Sequence, residues 1–248
     1  MEASFRVSGS AVEVSPWARG PWRDDLQHGG ASAGLIASAL IAEKRETPMQ
    51  LMRLTLDLRP VPIRPLTLAT LLRRRGRKSE LWSAALFDGE NEVARASALY
   101  VRDVDLPTPA SRTALELPLP EQCAEATGCD PRLLSPFVEA VDMRIARGGL
   151  DHLGPAAAWY RLNRPIIEGV VLAPEVRAAV CADFANGASA PLDSTAWSFP
   201  NADLTLNIFR PRRASGFWLR PKATSTRAAQ GARARVWPTS TVISATPL

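Results

Sequence analysis

The residues best suited to chemistry stand together near the front of the chain, in His28-Gly29-Gly30-Ala31-Ser32-Ala33-Gly34. From Ala31 to Glu46 there is no proline, and Leu35, Ile36, Ala39, Leu40 and Ala42 recur at helical spacing before Pro48 closes the run. This spacing predicts a helix over 31–46. Gly29 and Gly30 then mark its start, where unpaired backbone N–H groups and the positive dipole end can face a developing oxyanion with no side chain in the way. The same pair also suits a tight entry turn, and the two uses are compatible. Residues 30–34 satisfy G-x-S-x-G, the nucleophile elbow of an α/β-hydrolase. That elbow requires a buried apolar strand before it and a late histidine. Residues 22–28 read WRDDLQH instead, His152 lies three-fifths along the chain, and no βαβ alternation surrounds either. Small residues packing a helix against a sheet explain the motif better.

The elements that must position these residues are written twice. In the first copy Phe5, Val7, Val12 and Val14 alternate on either side of Ser8-Gly9-Ser10, a hairpin; the helix follows, then strand candidates at 51–58, 66–75, 81–87 and 93–102. In the second, residues 137–147 alternate as a strand up to Gly148-Gly149, 156–164 supply its partner, and 175–184 form a helix started by Pro174. Candidates at 203–210, 218–226, 231–237 and 241–246 complete the echo. LTLDLRP at 54–60 and LTLNIFRP at 204–211 mark equivalent strands. A curved antiparallel sheet wrapped round one helix is a hotdog, and pairing two such sheets covers their exposed edges. The expectation is an α+β double hotdog: an N-terminal unit over 1–103, a Pro-rich connector over 104–135 and a C-terminal unit over 136–248.

Trp22 with QHGGASAGL, the RP-ended strand at 54–60, GRKSELWSAALFDGENEVARASALYV at 76–101 and ADLTLNIFRP at 202–211 together resemble the thioesterase-like superfamily that includes the type II acyl-CoA thioesterases. The resemblance implies hydrolysis of acyl-CoA or another acyl thioester by a water held among an Asp, a Thr or Ser, and a Gln. It carries the Asp role to Asp203, seven residues before Arg210; Met52 occupies the matching place in the first copy, so one site per chain is implied. It carries the Thr role to Thr226, or to Thr224 or Ser225 if the register slips. Where the family has Gln, this chain has Pro247, which has no side-chain donor. The thioester oxygen would sit against Gly29 and Gly30. His28 would donate to that carbonyl, or serve as base of a hotdog hydratase with Asp24 or Asp25; loop packing is its plainer use.

Composition narrows the alternatives. At 46% hydrophobic and 22% charged residues the chain suits a soluble domain with a buried core. The longest near-apolar run, 33–42, is too short to span a bilayer, and Met1–Arg6 carries Glu2 with no apolar stretch after it, so neither membrane span nor signal peptide is expected. Three cysteines, at 123, 129 and 181, show no metal spacing, which points to a reduced, cytoplasmic, metal-free protein without cofactor. The net charge is +5, but the densest basic run, Arg73-Arg74-Arg75-Gly76-Arg77-Lys78, has no interleaved aromatic for base stacking. It reads as a solvated turn or a dock for coenzyme A phosphates, not a nucleic-acid surface. Homo-oligomers are expected from hotdog sheets. A non-catalytic acyl-binding scaffold and a hydratase remain the other functional classes.

Overall fold

The computed structural model describes residues 2–104, 117–126, 134–150, 153–190 and 200–208, together with the backbone of 219–223 and 241–245. Its first unit follows the expected order. β1 (Phe5–Ser8) and β2 (Ala11–Val14) form the hairpin, with Gly9 at φ +60° in the turn. Helix α1 (Gly29–Ala42) follows, and then β3 (Met49–Leu58), β4 (Leu66–Arg75), β5 (Ser79–Asp88) and β6 (Asn91–Arg102). The helix begins two residues before the expected start and ends four before the expected end. Its C-terminus is fixed by Arg45, which folds back to donate to the carbonyls of Leu40 (2.6 Å) and Glu43 (3.0 Å), groups a helix end leaves unpaired. Tyr100 donates to the same Leu40 carbonyl at 3.1 Å, under the Arg45 guanidinium.

The second unit is less regular. Part of the connector is an edge strand: β7 (Ala124–Glu125) pairs with β8 (Val141–Arg147), which pairs with β9 (Ala157–Leu162). The start of the strand expected over 137–147 is instead a single helical turn, α2 (Pro136–Glu139). Ser135 caps it and Pro136 occupies its first position, where a missing N–H costs nothing. Helix α3 (Pro174–Asp183) and a short α4 (Ala185–Ala188) precede β10 (Asp203–Asn207). A further pair, β11 (Leu219–Ala223) with β12 (Thr241–Ala245), matches two of the expected strands. The strand candidate at 231–237 lies outside the described residues.

The two units share one sheet of order β1-β2-β4-β5-β6-β3-β10. The echoed strands are the ones that meet. β3 and β10 run antiparallel with Leu54 opposite Leu206, Thr55 opposite Thr205 and Leu56 opposite Leu204, so a local two-fold passes beside the threonines, whose hydroxyls lie 3.4 Å apart. Alternation then places Leu54, Leu56, Leu204 and Leu206 inward, all buried, and Thr55, Asp57, Asp203 and Thr205 on the outer face. A second seam joins β1 to the later unit, with Phe5 N–H donating to Ile166 O at 2.9 Å and Glu168 N–H to Phe5 O at 2.9 Å.

Beneath the sheet α1 packs along α3, the start of one beside the end of the other. Contact is close because Gly30 and Gly34 lack side chains there. An added Cβ would meet the Val180 carbonyl at 3.0 Å from position 30, and Val180 Cγ2 at 2.7 Å from position 34. G-x-S-x-G is therefore a helix-crossing motif, with Ser32 wholly buried and donating to Gln27 at 2.9 Å. The small residues face a second helix as well as the sheet. Gly34→Val is expected to destabilise the protein by about 1–3 kcal/mol through overpacking, read from urea or thermal unfolding. An unchanged unfolding midpoint would show that the helices do not approach this closely.

Candidate active site

The crossing of the two helices brings a carboxylate onto the glycine pair. Asp183 is the last residue of α3, with its side chain 6% exposed, and a Cβ at Gly29 would lie 2.7 Å from both of its carboxylate oxygens. Only glycine permits that approach. His28 precedes α1 in extended conformation (φ −69°, ψ 138°), so its side chain turns back over the first turn, and Nδ1 lies 3.1 Å from Asp183 Oδ2. Asn201, just before β10, donates through Nδ2 to Asp183 Oδ1 at 2.7 Å and to the Asp183 carbonyl at 2.9 Å. Phe137 and Phe184 stack on the imidazole, with ring centroids 4.9 and 4.7 Å away and planes within 27° and 25° of it. The helical turn α2 is what delivers Phe137 to this place.

Hydrogen positions follow from charge. Nδ1 also lies 3.0 Å from the Gly30 nitrogen, and one ring nitrogen cannot donate to Asp183 and accept from Gly30 together. Burial works to raise the Asp183 pKa, but the His28 hydrogen bond and charge, with Asn201 and the Gly30 N–H, outweigh it and hold the carboxyl below its ordinary value. An ionised carboxylate repels a bare nitrogen 3.1 Å away, so Nδ1 carries the proton and donates it to Asp183. Ala31 N–H and Ser32 N–H both donate to the His28 carbonyl, at 2.9 and 3.3 Å. Gly29 N–H has no partner among the described residues. It is the donor left free at the helix start.

Of the residues singled out in the sequence, the structure brings His28, Gly29 and Gly30 together and joins them to Asp183 and Asn201. Asp203 stands apart. It lies on the outer face of the sheet, directly opposite Asp57, while Leu204 beside it points toward the helices. Burial and then the Asp57 charge push its pKa above the ordinary carboxylate range. Asp24 and Asp25, weighed as partners of His28, bond instead to Arg19 and Arg23, each at 2.6 Å. Thr226, Thr224, Ser225, Pro247 and His152 lie outside the described residues. Asp183 and Asn201 belong to no motif in the sequence, although Asp183 is the one charged residue within AAVCADFA, a run too apolar for an exposed helix. Among the described residues no group of three or more His, Cys, Asp or Glu is placed to hold a metal ion. Likewise no helix there is long and apolar enough to cross a membrane.

Comparisons with known proteins agree with this architecture. Residues 18–101 match the family model of the acyl-CoA thioesterase N-terminal domain, and residues 120–237 that of the acyl-CoA thioesterase C-terminal domain. Among solved structures, a hot dog protein of unknown function from Alicyclobacillus acidocaldarius superposes with a TM-score of 0.72 at 14% identity, covering 93% of this chain and 87% of that one. An acyl-CoA thioesterase II from Mycobacterium marinum gives 0.59 at 16% identity, with 92% and 84% covered. The tesB protein of Mycobacterium avium subsp. paratuberculosis gives 0.59 at 15%, with 91% and 84% covered. Curated protein sequences yield no match.

The placement of Asp203 beside Asp57 can be tested through stability. A group whose pKa is raised by folding stabilises the fold only while protonated, and that contribution is lost as pH rises through the folded value. At pH 7 Asp203 and Asp57 are therefore repelling charges in register, worth roughly 0.2–1 kcal/mol. Asp203→Asn is expected to raise the melting temperature at pH 7, with a gain that shrinks as pH falls toward about 4. A lower melting temperature at pH 7 would contradict the placement.

Proposed function

This chain belongs to the acyl-CoA thioesterase family and has the double hotdog fold, and from that premise we propose that it hydrolyses acyl-CoA thioesters where α1 meets α3. The observation that carries the reading is the buried Asp183 carboxylate lying on Gly29, beside an N–H with nothing to bond.

A thioester oxygen placed against the Gly29 N–H would gain charge there as the carbonyl carbon becomes tetrahedral, at the positive end of a 14-residue helix. The donor is fixed beforehand by the helix, so it needs no reorganisation when the charge appears. Asp183 and His28 form the polar wall that would take up the attacking water, and Asn201 holds the carboxylate in place. The assignment moves the acid from Asp203, which resemblance indicated, to Asp183, which geometry supports. The absence of a residue like Gln at Pro247 favours one rival, a scaffold that binds acyl-CoA without turning it over.

Steady-state hydrolysis of acyl-CoA thioesters of graded chain length is the direct test. The wild type should turn over at least one of them, and Asp183→Asn should lower kcat by roughly 10²–10⁴-fold, whereas Asp203→Asn should stay near wild type. Activity in Asp183→Asn equal to wild type would remove Asp183 from the chemistry. Acyl-CoA that raises the melting temperature with no turnover would establish the binding scaffold instead.

A further inference from the structure

We propose that the imidazole of His28 is the general base of this site and that Asp183 is its positioning partner, an assignment that rests on the thioesterase reading above. A carboxylate offers about four lone-pair directions. On Asp183 His28 Nδ1 takes one at Oδ2 (3.1 Å), Asn201 Nδ2 another at Oδ1 (2.7 Å), and the Gly30 N–H bears on the same group. The backbone of Gly29 closes a further side, because even a Cβ there would lie within 2.7 Å of both oxygens. Little of the carboxylate is left to grip a water.

His28 is arranged the other way. Its Nδ1–H is committed to Asp183, while Nε2 makes no hydrogen bond among the described residues, and the side chain keeps 11% of its surface exposed. The two phenylalanine rings fix the plane of the imidazole, and the carboxylate fixes its tautomer, leaving the lone pair on Nε2. An acid that orients a histidine through one nitrogen so that the other can accept a proton is a known solution to activating a weak nucleophile. Here the nucleophile is water. Nε2 takes a proton from it as the water oxygen bonds to the thioester carbonyl carbon, and the carbonyl oxygen becomes an oxyanion facing Gly29 N–H. Collapse of that oxyanion breaks the C–S bond, and the imidazolium returns its proton to the leaving sulfur. The products are a carboxylic acid and a thiol, and no other reactant is needed.

His28→Asn separates a base from a mere support. The amide can still donate to Asp183 but has no basic nitrogen, so kcat on the best acyl-CoA is expected to fall by roughly 10²–10⁴-fold with KM within a few-fold of wild type. His28→Asn turning over at the wild-type rate, with Asp183→Asn still inactive, would overturn the proposal while leaving the thioesterase reading intact. A wild type inactive on every thioester would instead sink the reading itself. Should His28→Asn fail to fold, diethyl pyrocarbonate gives a second measurement in His152→Gln, where His28 is the one imidazole left. Activity should be lost in step with modification of a single histidine, and restored by hydroxylamine. Full modification without loss of activity would refute the role.

Discussion

The approach of one helix end to another governs this molecule. α1 starts where α3 stops, and the two backbones come close enough that Gly29 touches a carboxylate and Gly34 touches a valine methyl. An ionised carboxylate buried to this degree costs several kcal/mol unless its oxygens are bonded. Asp183 meets that cost with His28, Asn201 and the Gly30 N–H. Each partner comes from a different element: the loop before α1, the segment before β10, and the first turn of α1. This cluster therefore exists only when both units are folded and joined.

The joining has its own geometry. A Leu-Thr-Leu tripeptide lies in the RP-ended strand of each copy, and these two strands pair antiparallel about Thr55 and Thr205. Period-two alternation then sends four leucines to the helices and leaves threonines and aspartates outside. Because the inward positions are apolar on both strands, a one-residue slip of β10 would turn Asp203 and Thr205 inward and Leu204 and Leu206 out, so the burial pattern specifies the register.

Much of this was legible in the sequence. The hairpin, the four long strands and both main helices follow from periodicity and turn residues, and the repeat foretold the shared sheet. The alternation in Asp203-Leu204-Thr205-Leu206 already places Asp203 on the face opposite the leucines, where the strand has it. Asp183 was marked only by its isolation among apolar neighbours, a sign that an acid is buried and must be paired. Which partner it finds depends on a contact 154 positions away in sequence, between Gly29 and Asp183, and no local pattern encodes it. The turn α2 was hidden because Phe137, Glu139 and Val141 alternate like a strand, whereas Ser135-Pro136 starts a helix. The end of α1 was misjudged for a similar reason, since Arg45 acts through its side chain rather than through a helix-breaking residue.

A duplicated unit ought to build two such junctions, one at each end of the crossed helices, and the two ends carry different residues. At the far end, the start of α3 lies toward the end of α1, because the two helices run antiparallel. There the first helical residue is Pro174, which has no N–H, and the residue before it is Ala173, which provides no side-chain cap. The facing carbonyl of Leu40 is held by Arg45 and Tyr100, and burial pushes the Tyr100 phenol up to about 12, so it remains a neutral donor. Pro174 thus removes the counterpart of the Gly29 N–H, and Ala173 stands where the other helix has His28. The two ends share an architecture, and the exchange of His28-Gly29 for Ala173-Pro174 sets them apart.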